Sequence, residues 1–282
     1  MKKEFVMWIV IAALVIGTLF LGTTKADQMA IDFEAGSYPQ YVTFGEIDSL
    51  KGLTQKTVCA WVKPESLSEY QHIFNINTQL TFQSGEYSHA GGYQLMLSNG
   101  KIRFVSHWSG VSGGHAAVWD SVETISAGNI GLACVSYDNS SENNNPVLYV
   151  NGNLSDITEV VSPAGTLMDY ATDYTPSTKI GISYTNTSSD VQLDGVLYKI
   201  LVYDRILTAA EVAQMYVARG RDNIRKGLVF CPMLYGAKGL QIFDGATLAA
   251  GNTIVDPCSG ALGIPAGNPV GIVETYLSTI MR

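Results

Sequence analysis

The sequence predicts an all-β protein, an antiparallel β-sandwich with one short helix near residues 208–219 and an N-terminal hydrophobic helix. Three observations carry this. Apolar and polar residues alternate with a period of two from about Ile31 to Asp204, as in strands with one face in a core. Asn-Gly pairs punctuate that pattern where the chain must reverse. Two cysteines, Cys59 and Cys134, sit in the middle of strand-like runs, Thr57-Val58-Cys59-Ala60-Trp61-Val62 and Leu132-Ala133-Cys134-Val135-Ser136-Tyr137, where a bond between them would staple neighbouring strands.

The first element is the apolar one. Lys2 and Lys3 precede an uncharged run from Phe5 to Thr24 that ends near Thr24-Lys25-Ala26, a small-residue signature before Asp27. The run is longer than a usual signal core and approaches the length that spans a bilayer, so residues 1–26 read as a signal peptide or a retained membrane anchor. Either way the basic N-terminus stays inside and everything after Asp27 is exported, giving a secreted or extracellular-facing chain, with membrane contact only through residues 5–24.

Hairpins follow. Gly92–Leu97 and Ile102–Ser106 flank Ser98-Asn99-Gly100-Lys101, and Val147–Val150 runs into Asn151-Gly152-Asn153; Asn-Gly tolerates the positive φ angles of a type I′ turn. Ile180-Gly181-Ile182 and the run Gly195–Tyr203 supply further strands. Thr208 then opens the helix as an N-cap, Glu211 completes a capping box, and Leu207 with Val212 forms a hydrophobic staple. Val212, Met215, Tyr216 and Ala218 fall on one face to dock on the sandwich. After Arg221 glycine and proline punctuate the chain, so residues 27–220 read as the sandwich domain and 221–282 as an extension packing on it, tied by a disulfide.

Four cysteines in an exported chain read as two disulfides, with three pairings open in principle. The preferred set is Cys59 with Cys134 and Cys231 with Cys258, the second pair flanking a glycine-rich loop. Zinc is not expected, because no Cys-x-x-Cys or Cys-x-x-His spacing occurs. A net charge of −8 argues against nucleic acid and anionic membranes as partners.

Several runs between about Ala30 and Arg219 resemble the concanavalin A-like, laminin-G-like jelly rolls: Tyr41–Phe44, Thr57–Pro64, Val135–Asp138 leading to Leu148–Gly152, and Leu193-Asp194-Gly195 leading to Val202–Val212. The last is the most specific, since strand, turn and capped helix occur together in that order. Within this group the chain is similar to the pentraxin-type branch, whose members bridge two neighbouring strands by cysteines placed as Cys59 and Cys134 are. The resemblance implies two curved antiparallel sheets and glycan or protein binding, often with calcium. A shared fold alone fixes no function.

The segment Ser106–Asp120 combines Trp108 and Trp119 with His107, His115 and small residues, which suits stacking on sugar C–H faces while Asp120 and the histidines bond hydroxyls. The alternative is that the tryptophans plug the sandwich edge. Tyr87, Tyr184 and Asn186 lie on other turn-rich segments that could reach the same rim. For calcium, the candidates from chain ends that meet in this fold are Asp32, Glu34, Asp194 and the carbonyl of Gly195, set against ordinary surface carboxylates. Gly45–Lys51 resembles the Glu-x-Asp-x-x-Glu strand of glucanases, but Lys51 replaces the final acid and cannot donate the proton, so no catalytic residues are expected. His72 and His89 lack ligand spacing, and Asn-x-Ser/Thr triplets begin at Asn139, Asn153 and Asn186. Together these features predict a non-catalytic module that binds carbohydrate or a glycosylated surface. Two other readings stand beside it: a structural or adhesive surface, filament or virion protein making protein contacts or self-assembling, and a glycoside hydrolase of the same fold.

Overall fold

The computed structural model describes residues 28–34, 40–81, 87–111, 116–168, 177–182, 192–232, 234, 246–247, 254–266 and 270–274. The predicted N-terminal helix lies outside them. The first half of the chain forms β1 (Gln28–Phe33), β2 (Tyr41–Gly45), β3 (Gln55–Pro64), β4 (Gln71–Thr81), β5 (Tyr87–Ser98), β6 (Lys101–His107), β7 (Ala116–Thr124) and β8 (Gly131–Asp138). Then come β9 (Val147–Val150), β10 (Asn153–Ser155), β11 (Ile157–Val161), β12 (Ser177–Ile180), β13 (Gly195–Tyr203) and the helix α1 (Ala209–Val217). The C-terminal part adds β14 (Leu228–Phe230), β15 (Ala246–Thr247), β16 (Ile254–Val255), β17 (Leu262–Ala266) and β18 (Val270–Glu274).

Among the described residues these strands make two antiparallel sheets of nine. The first runs β10-β9-β8-β3-β13-β1-β18-β15, with β14 also on β13; the second runs β11-β7-β6-β5-β4-β12-β2-β17-β16. The hairpins form where Asn-Gly placed them. Asn99 and Gly100 adopt φ of 52° and 81°, and Asn151 and Gly152 adopt 54° and 79°. Gly152 is required twice over, because a Cβ there would also stand 2.6 Å from Cβ of Tyr216 on α1.

Strand alternation sorts the side chains into two cores. Between the sheets lie Phe33, Phe74, Phe104, Trp119, Tyr137 and Phe230, among others. The far side of the first sheet carries Cys59, Trp61, Cys134, Tyr203, Val212 and Met215, a second cluster roofed by α1. Trp61 stacks on Tyr216 of the helix with ring centres 5.6 Å apart. Cys59 and Cys134 face each other across β3 and β8 and are bonded, as expected, and the Cys231–Cys258 bond is also formed. The strands that follow Arg221 contribute to both sheets: β14 and β18 join the first, β17 the second.

The cap of α1 is complete. The Thr208 hydroxyl accepts from the Glu211 amide, and the Glu211 carboxylate accepts from the Thr208 amide. Leu207 and Val212, the staple pair, are both buried. Arg205 grips the same carboxylate with two hydrogen bonds of 3.0 and 2.6 Å, and this contact, with those from Thr208, holds Glu211 down to about 2. A carboxyl with a lowered folded-state value contributes stability above its ordinary value of 4.5, and that contribution is lost as pH falls toward about 2. The melting temperatures of the wild type and Glu211→Gln should therefore converge across that window, and Thr208→Ala should cost about 1 kcal/mol at neutral pH.

Candidate functional site

The pleat divides the residues that the sequence groups as one aromatic rim. His107 and Asp120 alternate out of the core between the sheets because Trp108 and Trp119, their neighbours in the chain, point into it, yet both are buried, His107 at 1% and Asp120 at 7% exposed, so His107 offers no surface to a ligand. Trp119 is 0% and Trp108 3% exposed. Trp119 packs between Phe104 and Tyr137, ring centres 6.2 and 5.3 Å away, and its Nε1 donates to Asn145 Oδ1 at 3.0 Å. Neither indole presents a face to solvent, so both pack the sandwich. Burial raises the Tyr137 phenol above its ordinary value. His115, Tyr184 and Asn186 lie outside the described residues, and Tyr87 opens β5 with its side chain outside them as well.

The outer face of the second sheet is built as cross-strand rows. One row is His72, Met96, Arg103, Asp120 and Thr158; the next is Lys179, Asn75, Gln94, Val105 and Val118. In the first row Arg103 holds Asp120 with two parallel bonds, Nε to Oδ1 at 2.7 Å and Nη2 to Oδ2 at 2.9 Å. The Tyr70 ring lies 5.8 Å from that guanidinium and is 41% exposed. A hydrogen bond with Glu69 raises the Tyr70 phenol, and the bond to Asp120 raises Arg103. An exposed ring beside a fixed, planar pair of donors and acceptors can stack on an apolar face and bond hydroxyls next to it.

At the end of β1 the carboxylates of Asp32, Glu34 and Glu65 offer oxygens within 4.8 Å of one another. Asp194 adjoins them, its carbonyl accepting from the Glu65 amide at 2.8 Å. Gly195 stands opposite Phe33 and Pro64, and a Cβ there would be 2.3 Å from the Lys63 carbonyl, so only glycine lets the strands close at this corner. Clustered hard oxygen donors are the chemistry calcium requires. Cys231, Cys258 and Asp256 also converge. There the sulfurs are bonded to each other, and Asp256 accepts from the amides of Cys231, Cys258 and Ser259 at 2.7, 3.2 and 3.1 Å, clamping a turn.

The glucanase-like run is a surface turn at the end of β2. Lys51 pairs with Glu46 and with Asp48, the latter at 2.6 Å. A shallow cleft of about 510 Å³, lined by Leu53, Thr54, Gln55, Asp138, Ser140 and Asp204, opens at one end of the first sheet. Hydrogen bonds from Ser140 and Gln55 hold the Asp138 carboxyl below its usual range.

The family model of the concanavalin A-like lectin/glucanase superfamily matches residues 36–213. The chain belongs to that superfamily. One solved structure agrees on the fold of this superfamily member. A Bacteroides ovatus protein assigned provisionally to carbohydrate binding shares 14% identity with a TM-score of 0.57, covering 88% of this chain and 60% of its own. The chain thus spans three fifths of that protein. The heptameric SAP-like pentraxin of Limulus polyphemus shares 14% identity over 87% of this chain and 98% of its own, TM-score 0.49. The CBM40 of Ruminococcus gnavus IT-sialidase, bound to α2,3-sialyllactose, shares 15% over 66% and 96%, TM-score 0.46. No curated protein sequence matches the chain.

Sequence reasoning named Asp120, Asp32, Glu34, Asp194 and Gly195 but not their companions. Arg103 was legible in part, because it alternates outward between Ile102 and Phe104, yet its pairing with Asp120 needs the β6–β7 register. Glu65 and Tyr70 carry no local signal. They bound a connection between β3 and β4 and meet their partners only when the sheets close.

Proposed function

We propose that the protein is a non-catalytic binding module for carbohydrate or a glycosylated surface, working outside the cell, with the contact made at Tyr70, Arg103 and Asp120 on the outer face of the second sheet. The observation that carries this is the exposed Tyr70 ring set against the bidentate Arg103–Asp120 pair. Sugars need both parts: a ring for their C–H face and rigid polar groups for adjacent hydroxyls. Membership of a superfamily of lectins and glucanases agrees with the reading. Two disulfides are compatible with an oxidising compartment.

In this reading Asp32, Glu34 and Glu65, with Asp194 beside them, would hold calcium. The ion's role follows from where Glu65 sits. It begins the connection that ends at Tyr70, and the Gln71 side chain ties the two ends of that connection to the acidic corner, donating to the Ser66 carbonyl at 2.7 Å and accepting from the Asp194 amide at 3.3 Å. Fixing Glu65 would therefore fix the Tyr70 ring before the sugar arrives, which lowers the ordering cost of binding.

A glycan array probed with the full chain tests this. Binding to a defined set of glycans is expected in calcium, with loss on chelation and a roughly tenfold weaker response for Tyr70→Ala, whose ring is exposed and contributes little to folding. Silence on every glycan in the presence of calcium would overturn the proposal. Binding that ignores chelator would remove calcium from it and leave the surface.

A further inference from the structure

Charge is not spread evenly along this chain. From Phe104 to Thr178 there are eight Asp and Glu and no lysine or arginine, so this stretch carries the whole net charge of −8 and the remainder is neutral. The fold brings three of those acids to one margin. β11 is the last strand of the second sheet and lies on β7, with Thr158 opposite Asp120 and Glu159 opposite Trp119. The Val122 amide donates to the Asp156 carbonyl at 2.9 Å, which brings Glu123 and Asp156 to the same end of this ribbon. Glu123, Asp156 and Glu159 are exposed, and so are Val122 at 51% and Val160 at 48%. The ladder shifts register between Glu159 and Val161, leaving Val160 out of the pairing. A bulge and acids on an edge strand oppose the addition of another strand. What this margin presents to a partner is therefore side chains, three carboxylates and two valines, with no cation on β7, β10 or β11.

A complementary surface follows α1. Arg219, Arg221, Arg225 and Lys226 fall within eight residues. The chain alternates there: Gly220, Asp222 and Ile224 are buried, while Arg221, Asn223 and Arg225 are exposed, as is Lys226. Three contacts clamp the buried members. Lys199 Nζ donates to the Gly220 carbonyl at 2.6 Å, the Tyr203 hydroxyl donates to the Ile224 carbonyl at 3.2 Å, and the Asp222 carboxylate lies 3.5 Å from Lys199 Nζ. The one acid of this strap is thus engaged inward, and Arg221, Arg225 and Lys226 form no salt bridge among the described residues. Val217, the last residue of α1, leads into the strap and is 78% exposed. A backbone held this way loses little freedom on docking.

We propose that copies of the chain associate through these two surfaces: the basic strap at Arg221, Arg225 and Lys226 of one copy seats on the acidic margin at Glu123, Asp156 and Glu159 of the next, with Val217 against Val122 and Val160. Each surface carries one sign of charge, so a strap does not pair with a strap nor a margin with a margin. The contact is heterologous, and a pair of copies keeps one strap and one margin free to continue head to tail. Both copies are net negative. At physiological salt, however, the field of an exposed charge fades beyond about 8 Å, so the charges in contact decide. Surface ion pairs are individually weak, and the exposed valines add apolar burial to them. The association is reversible and weakens with salt.

Sedimentation velocity of the full chain tests this. The mean mass should rise with protein concentration at about 0.15 M salt and fall toward the monomer at about 1 M, where the Debye length is about 3 Å. Arg221→Glu with Arg225→Glu should abolish the rise, and so should Glu123→Lys with Glu159→Lys; all four positions are exposed, so both variants should keep the fold. Mixing the two variants should restore association, because the reversed strap of one fits the reversed margin of the other. Both variants remain net negative, so overall attraction does not account for that rescue. A wild type that is monomeric at every concentration overturns the proposal. So does a mixture that stays monomeric, or an association that persists in each variant alone, which places the contact elsewhere, as in the apolar run from Phe5 to Thr24.

Discussion

Replacing Trp119 by alanine is expected to lower the stability of the folded chain by about 3–5 kcal/mol while leaving glycan binding per folded molecule unchanged. The ring is closed in by Phe104 and Tyr137 and its nitrogen is bonded to Asn145. Truncation removes one of the largest buried side chains between the sheets, opens a cavity bounded by rigid strands, and takes from Asn145 the partner of its carbonyl. Neither sheet can collapse into the space without breaking ladder hydrogen bonds, which puts the cost toward the upper end of the range. Urea or guanidinium unfolding of wild type and variant measures the first half; binding scaled to the folded fraction measures the second. A variant of wild-type stability that no longer binds would place Trp119 on the ligand surface and contradict its assignment to the core.

That variant also tests how far a strand can be read from its residues. The hairpins at Asn99-Gly100 and Asn151-Gly152 were legible because their turn chemistry is local, and so was α1, whose cap and staple lie within six residues. The mid-strand cysteines gave a register, since Cys59 and Cys134 stand opposite each other. Trp108 and Trp119 were legible as aromatics but not by face. The glycines and serines between them read as loop, which hid that His107 and Ala116 still face each other on the β6–β7 ladder. In a strand a single step in phase exchanges inside for outside. The strands β17 and β18 were hidden differently. Pro265 and the surrounding glycines argue against a strand interior by local propensity, and the pairing with β2 and β1 overrides it. The acidic corner was half legible because its members on β1 and before β13 are acids near chain ends, whereas Glu65 reaches it only through closure of β3 on β13.

The second large effect is expected from the Cys59–Cys134 bond. Cys59→Ala with Cys134→Ala should cost about 4 kcal/mol by the entropy of the loop it closes, whose ends are 75 residues apart. Removing Cys231–Cys258 by the same double replacement should cost about 1 kcal/mol less, because those cysteines are only 27 apart and the loop term grows with the logarithm of length. Local packing enlarges the difference. The first bond lies in the cluster under α1 with Trp61, Leu132 and Tyr149, so losing it leaves a small void beneath the helix, whereas the second borders a turn already clamped by Asp256. Unfolding midpoints of the two double variants, measured side by side without reductant, give the ranking. If the Cys231–Cys258 variant proves the weaker of the two, loop closure does not govern this fold; the C-terminal strands, which complete both sheets, would then hold more of its stability than the strand pair at its centre.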